Sequence, residues 1–386
     1  MTTSEAASFP VDALELMLSL RCNLACSYCL RHDPDEEMGP ELAARALDLL
    51  FARPAARKDL TFTGGEPLLR LERVRVLADA ARARARRSGT RLRLNVLTNG
   101  AALTRAALDF LDAEDVRVVI TAGGAPDGHD LHRRFPDGRG SWARVEKGLA
   151  ALTARLPPSR LLVTVAVHPR RAHRLRDDVR FLVGRGVRNF NLCAVFGAPW
   201  SARQAAELAP QYAAVLADAV ASARAGDPVV LQALGSGLKR WTGTTPHYDY
   251  SDTGGTHCPL TFRLIAWPNG TLSLNPFRFG PRAADFAVGH LAGGFKEEFQ
   301  DCAPDGSGCA ACRKRVVEID RGYGAAYMAA AGADPEGFRR SWQANVLLCD
   351  GAVNRRAAEK IWSLSSNDPA LKRYVEVSDL WSDLVG

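Results

Sequence analysis

The sequence predicts an α/β protein, a partial (β/α)6 barrel followed by a cysteine-rich α+β extension. Three observations carry this. Short apolar runs alternate with longer helical patterns from about residue 12 to 225, the pattern of a parallel sheet wrapped by helices. Six such units are too few for a closed eightfold barrel. The nine cysteines also fall unevenly, three within residues 22–29 and five between Cys258 and Cys349, with Cys193 alone between the groups.

The elements follow in order. Leu14–Leu20 reads as a strand and Pro40–Phe51 as a helix, then Asp59–Thr63 as a strand and Leu71–Arg87 as a helix. Leu92–Thr98 and Val116–Thr121 are strands, with Arg105–Leu111 a helix between them and Ser141–Leu152 a helix after them. Arg160–Val167 and Asn189–Val195 complete the strands, separated by a helix over His173–Val183. A long Ala-rich helix covers Ala202–Ala225. Residues 226–255 are rich in Gly and Pro and read as a linker or crossover. Beyond it, Phe262–Trp267 and Thr271–Leu274 flank Pro268-Asn269-Gly270, a hairpin signal. A cysteine-rich domain is assigned to 256–350 and a helical tail to 351–386. In a parallel sheet of this kind ligands bind beyond the carboxyl ends of the strands, so the loops there are expected to bear function.

Composition limits the function classes. No basic, apolar leader opens the chain and no charge-free segment reaches membrane-spanning length, so a cytoplasmic protein without membrane contact is expected. In a reducing compartment the odd number of cysteines speaks for metal rather than disulfides. The net charge of +7 comes largely from an Ala/Arg-rich stretch around Arg82, Arg84, Arg86 and Arg87. It reads either as a solvated helix face or as a docking face for an acidic partner such as an electron-transfer protein. No aromatic residues interleave with these arginines, so nucleic-acid binding gains no support.

Cys22, Cys26 and Cys29 lie directly after the first strand. Three local thiolates leave a four-ligand shell incomplete, which suits a four-iron cluster that keeps one iron open for a ligand. After the second strand comes Thr63-Gly64-Gly65-Glu66-Pro67, after the third Thr98-Asn99-Gly100, and after the fourth Thr121-Ala122-Gly123-Gly124 with His129-Asp130 and Arg133 trailing.

Taken together these segments resemble the radical S-adenosylmethionine superfamily. Tyr28 fills the aromatic place before the last cysteine of its hallmark, and Gly64, Gly65, Glu66 and Pro67 match its second landmark. The resemblance implies a 4Fe–4S cluster on the three cysteines whose open iron chelates S-adenosylmethionine. It implies contacts to that cofactor from the Gly-Gly-Glu-Pro segment, Asn99, Thr121 and Arg133 or Arg134. Gly123 stands where the family usually has an Asp, so the role of that carboxylate does not carry over.

Cys258, Cys302, Cys309, Cys312 and Cys349 resemble the C-terminal auxiliary-cluster extension called SPASM, or its shorter form, twitch. Asn275 occupies a place usually held by cysteine, and five cysteines cannot ligate two complete four-cysteine clusters. One auxiliary iron–sulfur cluster is expected, on Cys309, Cys312 and two of the other three, with zinc the alternative. Cys193, near the end of the sixth strand, is either a buried structural thiol or a hydrogen-atom donor to a substrate radical. His168, at the end of the fifth, either faces the cavity or merely begins a loop.

Members with such extensions modify ribosomally made peptides or, in other cases, small molecules such as aminoglycosides. A peptide-modifying maturase is the reading chosen, reduced by a flavodoxin- or ferredoxin-type donor, with a radical dehydrogenase, epimerase or decarboxylase acting on a small-molecule intermediate as the alternative. Only 21 residues precede Cys22, so a peptide-recognition domain is expected on a separate protein. The alternative from another class is a non-catalytic iron or zinc protein.

Overall fold

The computed structural model describes residues 11–29, 36–195, 198–234, 264–273, 287–297 and parts of 340–375. Cys258, Cys302, Cys309, Cys312 and Cys349, Asn275 and most of the assigned linker lie outside the described residues.

Six parallel strands form the frame: β1 (Ala13–Ser19), β2 (Arg57–Gly64), β3 (Arg91–Thr98), β4 (Arg117–Ala122), β5 (Leu161–Val167) and β6 (Asn189–Ala194). Helices α1 (Pro40–Leu50), α2 (Leu71–Ser88), α3 (Arg105–Ala113), α4 (Pro126–His132), α5 (Trp142–Arg155), α6 (Leu175–Val183) and α7 (Ala202–Arg224) fill the crossovers, and α8 (Ala352–Ser365) lies in the tail. This is the expected open barrel, but its sheet is wider. A two-residue β7 (Val230–Leu231) adds beside β6. At the other edge β8 (Leu264–Ala266) pairs parallel with β1 and turns through Pro268-Asn269-Gly270 into β9 (Thr271–Ser273). Strands β10 (Ala287–His290) and β11 (Gly294–Phe295) continue it antiparallel, giving an eleven-stranded sheet among the described residues. The β8–β9 hairpin is the one signalled by Pro268-Asn269-Gly270 in the sequence, whereas β7, β10 and β11, of two to four residues, carry no readable alternation.

Period-two alternation sorts the strand residues between two faces. Leu14, Leu16, Leu18, Leu60, Phe62, Leu94, Val96, Val118, Ile120, Val163, Val165, Phe190 and Leu192 belong to the main core under the helices. Their neighbours face the concave side. There Val119, Leu162 and Leu97 form one small apolar cluster and Met17 and Ile265 part of another. The register places Thr121 beside Thr164, Thr164 beside Asn191 and Ala166 beside Cys193 on this face, near the carboxyl ends of the strands.

α4 has no counterpart in the predicted elements. Its seven residues include Pro126, Gly128 and four polar or charged side chains, too short and too polar for an apolar stripe. The arginines of α2 are mostly engaged within the barrel: Arg73 meets Glu37, Arg75 meets Glu72, Arg82 meets Glu114 and Arg84 meets Asp48. This favours the solvated helix face over a free cationic docking face. No helix among the described residues is long and apolar enough to cross a membrane.

Candidate active site

The cysteine loop leaves β1 at Ser19 and is held by the loops after β2, β3 and β4. Gly65 N donates to Ser19 O and Glu66 N to Arg21 O, each at 2.8 Å, so the Gly-Gly-Glu segment runs backbone to backbone against the start of the loop. A Cβ on Gly65 would lie 2.0 Å from Arg21 O. The glycine is therefore demanded by the chain's own packing, before any ligand is considered.

Glu66 turns its carboxylate inward and is 2 % exposed. Its Oε1 accepts from Leu68 N (3.1 Å) and Thr98 Oγ1 (2.9 Å), and its Oε2 accepts from Asn99 N (2.7 Å). Burial nevertheless pushes the carboxyl up to about 7, the three donors pulling the other way. Pro67 opens the short 3-10 turn Pro67–Arg70 that aims Leu68 N at Glu66. Asn99 links two loops: its Nδ2 donates to Asn23 Oδ1 (2.7 Å) and reaches Cys22 Sγ (3.5 Å), while Oδ1 accepts from Ala101 N (2.8 Å). It is thus more than a turn residue.

On the other side the loop lies along residues 132–134. Ala25 N donates to Arg134 O (2.7 Å) and Ser27 N to His132 O (2.9 Å). Between them Arg133, 5 % exposed, donates from Nη1 to Tyr28 Oη (3.1 Å). Its Nε and Nη2 are buried with no hydrogen-bond partner among the described residues. Arg134 by contrast is exposed and donates to Gly138 O (3.0 Å). Of the two arginines raised by the sequence, only Arg133 points charge at the cysteine loop.

His129 fixes this segment. Gly123 N donates to its Nδ1 (3.1 Å), so the neutral ring carries its proton on Nε2, which donates to Ser141 Oγ (3.0 Å). Ser141 in turn donates to Arg133 O (2.8 Å). Burial, with Arg133 nearby, drives the His129 pKa down to about 3, keeping the ring neutral. The sequence raised His168 but not its partner: His132 stacks on His168 at 3.7 Å between ring centroids, and His132 Nδ1 bonds Ser27 Oγ at 2.8 Å. His168 therefore sits at the site mouth, its pKa lowered to about 4 by burial, then by His132 and Arg170.

Cys193 lies on the concave face. Its Sγ donates weakly to Val165 O at 3.9 Å, and burial pushes the thiol up to about 11, so it stays protonated at neutral pH. Tyr28 is within its electrostatic reach.

These groups fit an anionic metal cluster with an anionic ligand. Cys22, Cys26 and Cys29 form no disulfide and lie half-buried on one loop. Cys22 Sγ accepts N–H groups from Leu24 (3.4 Å) and Asn99, as a metal-bound thiolate does. No three Cys, His, Asp or Glu side chains among the described residues converge on a point that one ion could fill. A four-iron cluster does not need that convergence, because each thiolate binds a different iron. The orphan donors of Arg133 supply a place for a carboxylate.

A family description, Radical SAM superfamily, matches residues 16–182. Among curated proteins, a GTP 3′,8-cyclase of Synechococcus sp. is 36% identical over 151 residues, which is 33% of this chain and 43% of that protein. An uncharacterized protein of Methanocaldococcus jannaschii is 26% identical over 179 residues, covering 46% of this chain and 60% of its own length. The chain thus spans about half the length of these relatives. Among solved structures, anSMEcpe with bound AdoMet superposes with a TM-score of 0.67 at 13% identity, covering 95% of this chain and 98% of that one. The same protein with AdoMet and the Cp18Cys peptide gives 0.61 at 15% identity, covering 94% and 98%. At such identities the likeness is one of fold.

Proposed function

The chain belongs to the radical SAM superfamily, which implies S-adenosylmethionine and a 4Fe–4S cluster, and on that premise we propose that it removes a hydrogen atom from a ribosomally made peptide. Cys22, Cys26 and Cys29 would hold the cluster, with the cofactor's amino and carboxylate groups at Glu66 and Arg133, and Asn99 and Thr121 flanking it. Bound there, the pair supplies a 5′-deoxyadenosyl radical that abstracts hydrogen. The five later cysteines would hold one auxiliary iron–sulfur centre.

The observation that carries this reading is the polarity of the cradle. One buried carboxylate and one buried guanidinium with orphan donors flank a loop of three cysteines that form no disulfide. A zwitterionic amino acid head group needs that pair of charges. For the substrate, support comes from the open concave face, where Thr121, Thr164, Ala166, Asn191 and Cys193 are small, half-exposed and uncharged. They suit a neutral side chain, and the fold neighbour carries a peptide. Cys193 would return a hydrogen atom from its S–H to the carbon radical; the resulting thiyl is reduced by the flavodoxin- or ferredoxin-type donor. The test is anaerobic reconstitution, followed by iron and sulfide counting and a 5′-deoxyadenosine assay with candidate precursor peptides. Product made in D2O should carry one deuterium, and Cys193→Ala should stop at 5′-deoxyadenosine without product. A reconstituted, reduced protein that holds only zinc and makes no 5′-deoxyadenosine refutes the proposal.

The match to GTP 3′,8-cyclase favours one second reading, a purine nucleotide substrate. Stimulation of 5′-deoxyadenosine by GTP and not by peptide would select it.

Glu66 makes cofactor binding pH-dependent in this proposal. Its pKa is raised in the folded chain to about 7 from an ordinary 4.5, so the group is ionised above that value and neutral below it. Only the carboxylate attracts an ammonium, so affinity for S-adenosylmethionine is expected to fall about tenfold between pH 8 and pH 6. Calorimetric titration across that range checks this, and Glu66→Gln should bind weakly with no such slope. In the ligand-free protein the same group favours the fold at low pH and loses that contribution as pH rises from 4.5 through 7.

A further inference from the structure

The loop after β4 has Gly123 where the resemblance implies an acidic residue, yet it is not without a carboxylate. Gly123 leaves no room for a longer side chain, since a Cβ there would lie 2.9 Å from His129 Cα. Asp178, from the first turn of α6, reaches the loop instead. It is 3 % exposed, and its Oδ1 accepts from Ala125 N at 3.0 Å, at the N-cap of α4. Arg171 grips the same carboxylate through Nη2 (2.5 Å) and Nε (3.2 Å) and extends Nη1 to Asp127 in the first turn of α4 (2.6 Å).

Two glycines make the space for this pair. Gly124 has φ +92°, and a Cβ on it would lie 2.3 Å from Asp178 Cγ. A Cβ on Gly128 would lie 2.6 Å from Arg171 Nε. The pair and the two glycines therefore fit as one unit, joining residues more than 40 apart in sequence. The far end of α4 is the segment His132-Arg133-Arg134 that lies along the cysteine loop. A seven-residue helix has few internal hydrogen bonds to hold its direction, so its anchor decides where Arg133 points.

We propose that Asp178 and Arg171 are positioning residues that fix α4, and through it set Arg133 against Tyr28 of the cysteine loop. This rests on the reading that Arg133 serves S-adenosylmethionine. Neither residue touches the cofactor; both act through α4.

The test uses the full-length protein, wild type and Asp178→Ala, Asp178→Asn and Arg171→Lys. Asp177→Ala is the control, because Asp177 makes an exposed ion pair with Arg174 on the same turn. Two quantities are read: amide hydrogen exchange over residues 125–134 without ligand, and the Kd for S-adenosylmethionine after anaerobic reconstitution. Asp178→Ala should speed that exchange and weaken the cofactor about tenfold with iron content unchanged. Asp178→Asn should lose less, since its amide oxygen still accepts from Ala125. If Asp178→Ala does not fold, the Asn and Lys variants decide by the same two readings. Variants that lower the melting temperature while leaving both readings at wild-type values would overturn the proposal, as would an equal loss in Asp177→Ala. Should the wild type not bind S-adenosylmethionine, the function proposed above fails, and exchange in the ligand-free protein still judges the anchor.

Discussion

Gly65→Ala is expected to prevent cluster assembly altogether. The added methyl would lie 2.0 Å from Arg21 O and 2.4 Å from both Arg21 C and Leu20 O. All three are backbone atoms, so no side chain can swing away. Relief requires the Gly-Gly-Glu strand to part from residues 19–21, which breaks the bonds from Gly65 N to Ser19 O and from Glu66 N to Arg21 O. Overpacking of this kind, with two buried backbone bonds lost, costs about 4 kcal/mol or more. The displaced segment is the one that carries Cys22, so the damage falls on the metal site first. Iron content and visible absorption after anaerobic reconstitution give the readout. Gly39→Ala, where a Cβ meets nothing within 4 Å and φ is −66°, should reconstitute normally. Full iron loading in Gly65→Ala would show that the strand has freedom this packing denies it.

That glycine illustrates what was legible in the sequence. The segment Gly64-Gly65-Glu66-Pro67 and its place after the second strand could be read directly, as could the six strand–helix units, because alternation over five to eight residues is strong. The partner of Gly65 could not. Its contact with Arg21 spans more than 40 residues and depends on how β1 and β2 lie in register. The same holds for Asp178, whose acidic side chain on an amphipathic helix looks solvent-facing until the fold brings it to Ala125 N at the start of α4. The stacked His132 and His168 lie at the end of α4 and just after β5, and the pairing of β4 with β5 brings those segments together. Cys193 shows the limit in its simplest form. Alternation left two faces open, and the pairing of Ala166 with Cys193 on the face opposite Val165 and Leu192 selects the concave one.

Arg133→Met should produce two effects of opposite sign. In the free protein a buried guanidinium satisfies only Nη1, on Tyr28, while Nε and Nη2 find no partner among the described residues. Burying charge and donors without acceptors is unfavourable, and replacing them with an apolar side chain of similar length relieves that cost. The ligand-free variant should therefore melt at or above the wild-type temperature. With S-adenosylmethionine the order reverses. On the proposed reading the cofactor's carboxylate would satisfy the orphan donors through charge-assisted bonds worth about 1.5–3 kcal/mol, so the variant's Kd should rise by about ten- to a hundredfold. The ligand-induced rise in melting temperature should shrink with it, because that rise follows the ratio of ligand concentration to Kd. Arg134→Met, at the exposed neighbour, should leave both measurements unchanged. An Arg133→Met protein that is less stable without ligand would mean the guanidinium has partners of its own, and its reading as a waiting anion site would fall. A site that is strained until its ligand arrives is the expected cost of holding a charged cofactor in a buried cradle, and the opposed signs separate that cost from ordinary loss of packing.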